Sequence, residues 1–377
     1  MSANETQALY IAIWLITIGF AFLCQKTVVV AGESKTLFRK LPFVISFFIP
    51  WFFYAFTDIG FDYATYSHIF DLVTWDNFYS LWIEPGYALL NLLIKTFTSD
   101  SVIGIIIIKT ISMILVYAAI YDYRDKAHVG FAVMGYMSLL YIDSFCMIRI
   151  NLAAGLIFYA LSLYQNHNRK LLALLLGVFA VTIHYSAIIF VGCFAIYFLL
   201  FRKIKKNYRF KYLCFCMLVL GMSVVAVPLM NFVLDLIPFL AKYAQKYSLI
   251  DSSGLGIMQI VFHLPFVLLA LETMNVSSQT ESPYGQIFSL TLVLAPLSLF
   301  FGSMGYSVQV IGRCYVLFIY VWSVGLPAYY VWRKNIKPRD SIILGVLIFA
   351  WSALRLYFYL NEHLIPAGID RYFFLWQ

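Results

Sequence analysis

Charge is what this sequence has least of. Only 12% of its 377 residues are Asp, Glu, Lys or Arg, where a soluble globular chain carries about 25%. It has no polar stretch long enough to fold as a separate soluble domain. Its six cysteines, Cys24, Cys146, Cys193, Cys214, Cys216 and Cys314, form no C-x-x-C and no Cys/His spacing that suits zinc. They read as small apolar fillers. There is no Walker motif, no H-E-x-x-H and no Asp-x-Asp pair for a metal-bound nucleotide sugar, so no cofactor is expected. Ser186 follows His184 closely, but without G-x-S-x-G or a nearby acid it does not suggest a hydrolase triad. No Lys or Arg precedes the first apolar run and no small-residue cleavage site follows it. That argues for a retained first span over a cleaved signal peptide.

What is present is apolar: 63% of the residues are hydrophobic and 19% aromatic. The expected fold class is all-α, a single polytopic membrane domain over residues 1–377. Apolar runs at 8–24, 41–57, 101–120, 129–146, 150–165, 171–185, 187–201, 212–228, 256–271, 285–302, 314–331 and 341–359 predict about twelve transmembrane helices. Most Lys and Arg sit in alternate loops, at 25–40, 121–128, 165–170, 202–211 and 332–340. The positive-inside rule makes these cytoplasmic. The net charge of +8 therefore reflects topology and gives no reason to invoke nucleic acid. The apolar run Tyr87–Phe97 spans only about 16 Å as a helix. It reads as a re-entrant or half-crossing segment, because a full crossing there would turn "RKIKKNYRFK" outward.

The opposite face is sparsely charged, with acidic residues outnumbering basic ones. Two of its segments are long enough to form structure. In 58–98, "DYATYSHIFDLVTWDNFYSLW" puts Tyr66, Ile69, Phe70 and Val73 on one helical face, the pattern of an interfacial helix with Trp75, Tyr79 and Trp82 as anchors. In 229–255, Tyr243 and Tyr247 lie one helical turn apart.

Four residues on this face carry the chemical expectation. Arg149 and Arg313 each open a span at its outer end. A snorkelling anchor is one reading; a pair of guanidinium forks on a phosphate or pyrophosphate, close to helix N-termini, is the other. His184, in "VTIHYSAIIF", is either a hydrogen-bonded structural residue or a general base or sugar ligand. Glu84 stands before the Pro85–Gly86 break. It is either the N-cap of the helix that Pro85 starts or a carboxylate that, with Asp62, holds sugar hydroxyls or acts as base. Lys109 lies mid-span and must face a partner or a cavity, and Arg355 lies near an outer end; neither has a partner assignable from sequence.

Four stretches are similar to the EpsG family of Wzy-type exopolysaccharide and capsule polymerases. "GFDYATYSHIF" (Gly60–Phe70) resembles the family's G-x-D-x-x-x-Y element, with Phe61 where the family often has Thr. "EPGYALLNLLI" (Glu84–Ile94) resembles E-P-G-Y-x-x-L-N, the most distinctive. "IRINLAAGLIFYA" resembles the Arg-led span and "IHYSAIIF" the H-x-S-A span. Together they cover residues 60–190; the second half matches loosely, through Tyr243, Tyr247 and "RCYVLF". The resemblance implies a GT-C-like membrane glycosyltransferase in the bacterial cytoplasmic membrane, its site facing outward. Its substrates would be undecaprenyl-pyrophosphate-linked oligosaccharides, its partners the bilayer and chain-length regulator and flippase proteins. Joined to the reading of the residues, it makes His184, Arg149 and Arg313 the expected catalytic groups, with Asp62, Tyr66, Glu84, Tyr87, Asn91, Tyr243, Tyr247 and Arg371 expected to bind substrate. A flippase of lipid-linked oligosaccharides and a ligase or O-acyltransferase with another acceptor are the alternatives. A flippase should line a midplane path with charge, where only Lys109 is central.

Overall fold

A computed structural model describes residues 1–30, 33–79, 83–201, 209–219, 221–222, 257–277, 282–304 and 312–376. The chain divides into two compact units, Met1–Ala187 with Trp322–Gln377, and Ile188–Val321. Among the described residues, six helices are long and apolar enough to cross a membrane, and five further apolar helices have 10–17 residues. The chain is thus a multi-pass membrane protein whose described residues are predominantly helical.

The first unit holds α1 (Ala3–Phe22), α2 (Lys40–Ala55), α3 (Tyr63–Leu72), α4 (Pro85–Lys95), α5 (Ser101–Asp122), α6 (Val129–Leu139), α7 (Ile148–Asn166), α8 (Lys170–Ile183) and the C-terminal helix Pro338–Glu362. α6 is buried along its whole length. It ends at Leu139, short of the expected run to 146, because the chain turns through the 3-10 helix Asp143–Phe145 before α7 begins. The loop expected at 25–40 forms an antiparallel hairpin, Gln25–Val30 paired with Glu33–Phe38. Its β-branched run Thr27–Val30 is the physical signal, masked in the sequence by the neighbouring basic residues.

The basic loops of this unit meet at one end. Gln25 Nε2 donates to the carbonyls of Arg124 and Ala127 at 2.6 and 3.3 Å. Lys126 Nζ donates to Asn166 Oδ1 at 2.7 Å, and His128 rests edge-on against Tyr330.

The other end is closed by the segment after the C-terminal helix. Gly60 and Phe61 donate their backbone N–H groups to the carbonyls of Gly368 and Ala367. Tyr10 donates to the Ile369 carbonyl at 3.2 Å, Thr57 to that of Phe373 at 2.6 Å, and Tyr372 to that of Phe53 at 2.7 Å. Gly60 needs to be glycine: its φ is +103°, and an added Cβ would lie 2.6 Å from the Phe145 carbonyl oxygen.

Lys109 has its partners at the same end. Fully buried, it donates to the carbonyls of Tyr54 and Thr57 at 3.0 and 2.7 Å and lies over the Tyr54 and Tyr63 rings. These carbonyls close α2, so the cation sits where the helix dipole is negative.

In the second unit the helices Ile257–Glu272 and Pro283–Met304 pack together, with His263 Nδ1 2.9 Å from Ser298 Oγ and the His263 ring against Gly302. The expected outer segment 229–255, with Tyr243 and Tyr247, lies outside the described residues, as do residues 220 and 223–228 of the expected 212–228 run.

Candidate functional site

The site grows from the Pro85–Gly86 break. Pro85 occupies the first turn of α4, where its missing N–H costs nothing and its fixed φ favours a start. Gly86 then lets α4 approach α8: a Cβ there would strike the Thr182 side chain and lie 2.8 Å from the Thr182 carbonyl carbon. This contact brings the start of α4 to the end of α8. His184 is the C-cap of α8, its backbone extended at φ −151° and ψ 116°. Its N–H still closes the helix on Ala180, and its carbonyl accepts from Ala187 as α9 (Ala187–Ile196) begins. Arg149 sits in the first turn of α7, which packs on α8.

Glu84 stands at the N-cap position of α4 but caps nothing with its side chain. Its carboxylate bridges the other two residues instead. Oε2 accepts from the Arg149 guanidinium at 2.5 Å, and Oε1 is 2.7 Å from His184 Nδ1. Glu84 is buried, its side chain 7% exposed, while the Arg149 and His184 side chains are 22% and 25% exposed. The acid is therefore the inner member and the two nitrogen groups face outward from it. Burial pushes the Glu84 carboxyl up, but the His184 hydrogen bond and the Arg149 charge outweigh it, and the net position is below the ordinary carboxylate value. An ionised carboxylate only accepts, so Nδ1 carries the proton. In a neutral ring that leaves the lone pair on Nε2, a fixed tautomer with its basic nitrogen turned from the acid.

Two tyrosines hold the guanidinium in place. Its carbon is 5.5 Å from the Tyr66 ring centroid and 5.7 Å from that of Tyr87. The rings meet edge to face at 6.1 Å, and both are buried. Tyr66 comes from α3, whose inner face also buries Phe70, with Val73 buried just past its end, as the amphipathic pattern predicts. Trp75 and Tyr79 are exposed; Trp82 lies outside the described residues. Asn91, one turn after Tyr87, is fully buried beside the Tyr87 hydroxyl, with no well-formed hydrogen bond to either amide atom among the described residues.

Of the other expected site residues, Asp62 is half-buried at the start of α3. Its charge acts on Tyr66, and it makes no ion pair with Arg149 or His184 among the described residues. Arg371 is exposed on the closing segment. Arg313 belongs to the second unit, half-buried, and opens the 3-10 helix Arg313–Phe318 where an α-helix was expected. Sequence reasoning missed Asp143 as more than one acidic residue among many: it accepts a hydrogen bond from Tyr359 in the core of the first unit.

Taken together, an acid fixes a histidine tautomer and a guanidinium side by side at one end of a membrane-spanning bundle. Such a pairing can take a proton at one point and stabilise negative charge beside it. Residues 40–369 match the family model described as EpsG family. No curated protein and no solved structure matches the chain.

Proposed function

The chain belongs to the EpsG family, and from that premise we propose that it is a membrane glycosyltransferase polymerising lipid-linked oligosaccharide repeat units. The reading places a GT-C-like bundle of about twelve spans in the cytoplasmic membrane, with the Glu84 site at the outer leaflet. The donor is the growing glycan on undecaprenyl pyrophosphate. The observation that carries the reading is the Glu84 bridge, which sets a base and an anion-binding group next to each other.

In the reaction a hydroxyl of the incoming repeat attacks the anomeric carbon of the donor. The hydroxyl proton passes to His184 Nε2, and Glu84 stabilises the imidazolium through Nδ1. The anomeric C–O bond breaks and its electron pair leaves with the lipid diphosphate. Arg149, through guanidinium donors not used by Glu84, meets the charge as it develops. Whether Arg313 also serves the diphosphate is tested separately, by Arg313→Lys. Asp62 and Arg371 contact the sugars, and the buried Tyr66, Tyr87 and Asn91 back the site behind Arg149; a sugar-binding role for Tyr243 and Tyr247 is carried over from the family resemblance. A single displacement inverts the anomeric centre.

The test uses purified full-length protein in nanodiscs and lipid-linked repeat units, read as a ladder of chain lengths. Chains longer than one repeat from wild type, and single repeats from His184→Gln, support the reading. In cells, deletion should leave single repeats displayed on the lipid. Deletion that leaves none displayed identifies a flippase and refutes the polymerase.

A further inference from the structure

A second buried polar cluster lies in the first unit, apart from the Glu84 bridge. Asp143, Arg355 and Tyr359 are 8%, 2% and 6% exposed. The Tyr359 hydroxyl donates to Asp143 Oδ1. The Arg355 guanidinium carbon lies 5.5 Å from the Tyr359 ring, and its charge interacts with that of Asp143. Burying such charges is costly even when they are matched, and apolar residues would hold a helix in place at least as well. The helix Pro338–Glu362 therefore needs no charge merely to dock.

What the cluster grips is the turn that leads into Arg149. The Asp143 carbonyl accepts from the N–H groups of Cys146 and Met147 at 3.2 and 3.0 Å. The Met147 carbonyl accepts in turn from Asn151, from its backbone N–H at 3.0 Å and its side chain at 2.9 Å. Arg149 stands between those two residues, so the first turn of α7 hangs from the Asp143 turn. Its flanks are fixed independently: Tyr54 donates to the Ser144 carbonyl at 3.2 Å, and Cys146 Sγ to that of Ala367 at 3.0 Å. Asp143 is the one charged member of this turn, and it is held from a helix far along the chain, 216 positions separating it from Tyr359.

We propose that Asp143 is a positioning residue for Arg149, aimed from the C-terminal helix by Tyr359 and Arg355. It acts through the orientation of α7 and not on the substrate. The proposal rests on Arg149 working at the transition state. Displacing a charge-stabilising group by about 1 Å can cost up to about 10²-fold in rate.

The experiment compares Tyr359→Phe and Asp143→Asn with wild type in nanodiscs, per mole of folded protein. Tyr359→Phe removes one hydroxyl and keeps the ring, so it tests the same contact should Asp143→Asn fail to fold. The expected result is a turnover loss of about tenfold or more with little change in the half-saturating donor concentration, since the lost contact matters in the transition state. In an Arg149→Lys background Tyr359→Phe should add no further loss. Hydrogen exchange of the backbone at 143–151 should rise in Tyr359→Phe whatever the reaction catalysed. Unchanged exchange there overturns the positioning claim. Raised exchange with full turnover also overturns it, and leaves the cluster purely structural. Full activity of Arg149→Lys alone instead removes the reading on which the proposal rests.

Discussion

Glu84 Oε1 lies 2.7 Å from His184 Nδ1, though 100 positions separate them in the chain. The carboxylate beside the Pro85–Gly86 break is thus not spent on capping the helix it precedes. Because its other oxygen holds Arg149, one side chain positions both the proposed proton acceptor and the proposed charge-stabilising group. Losing it should disturb both functions at once.

Glu84→Gln should therefore be almost as damaging as Glu84→Ala. An amide can still contact His184, but it neither stabilises an imidazolium nor pairs with Arg149. The expected loss of turnover is at least about 10²-fold, toward the loss seen when a buried triad acid becomes an amide. Chain-length ladders at matched protein amounts check this. A Glu84→Gln protein with near wild-type ladders would reduce Glu84 to a hydrogen-bonding strut.

Arg149→Lys keeps a cation for Glu84 and so should leave the protein folded and inserted. It loses the planar fork and the guanidinium's cation–π contacts with the Tyr66 and Tyr87 rings. Polymerisation should fall by about 10²–10³-fold, the usual cost of one donor at a transition state. Arg313→Lys should behave alike if both guanidiniums serve the diphosphate, whereas snorkelling anchors would tolerate the change. Normal chain lengths from both Lys variants would end the clamp.

The pH dependence of stability has a definite sign. The Glu84 carboxyl in the folded protein titrates below its ordinary value of 4.5. Its contribution is complete above that value and is lost as pH falls through the folded-state one. Thermal unfolding in nanodiscs, followed from neutral pH down to about pH 3, should show wild type losing an increment over Glu84→Gln only below about pH 4.5. An increment that grows with rising alkalinity would contradict the pairing.

Gly86→Ala should destabilise the bundle by about 1–3 kcal/mol through overpacking. Adding Thr182→Ala should restore little, because the Thr182 carbonyl carbon, which the new methyl would approach to 2.8 Å, remains. Full rescue by Thr182→Ala would mean that only the threonine side chain had been in the way. Unfolding midpoints of the single and double variants decide between these.

The parts of this molecule legible in its sequence are those that composition controls. Long apolar runs mark the helices, and the length of α4 follows from its short run between Pro85 and Lys95. Glu84, Arg149 and His184 each stand out as polar residues at the ends of apolar segments. Their joining through one carboxylate does not, because it depends on how closely α4 meets α8, and a glycine's neighbour leaves no trace in the string. Lys109 shows the same limit from another side: its partners are backbone carbonyls, which every residue carries alike. Asp143 and Tyr359 were hidden by distance along the chain. The hairpin at 25–38 was obscured because lysines among its valines look like a topology signal.

The segment after the C-terminal helix also orders events in time. A ribosome feeding this chain into the membrane delivers Thr6, Tyr10, Phe53 and Thr57, and then Glu84, Arg149 and His184, long before residues 367–375. Yet those late residues bond to the early ones at the end of the bundle that holds the site. Until they arrive, the backbone N–H groups of Gly60 and Phe61 and the hydroxyls of Tyr10 and Thr57 lack these acceptors. The nascent bundle therefore stays unfinished at that end until residues 367–375 emerge, and only then does it lock.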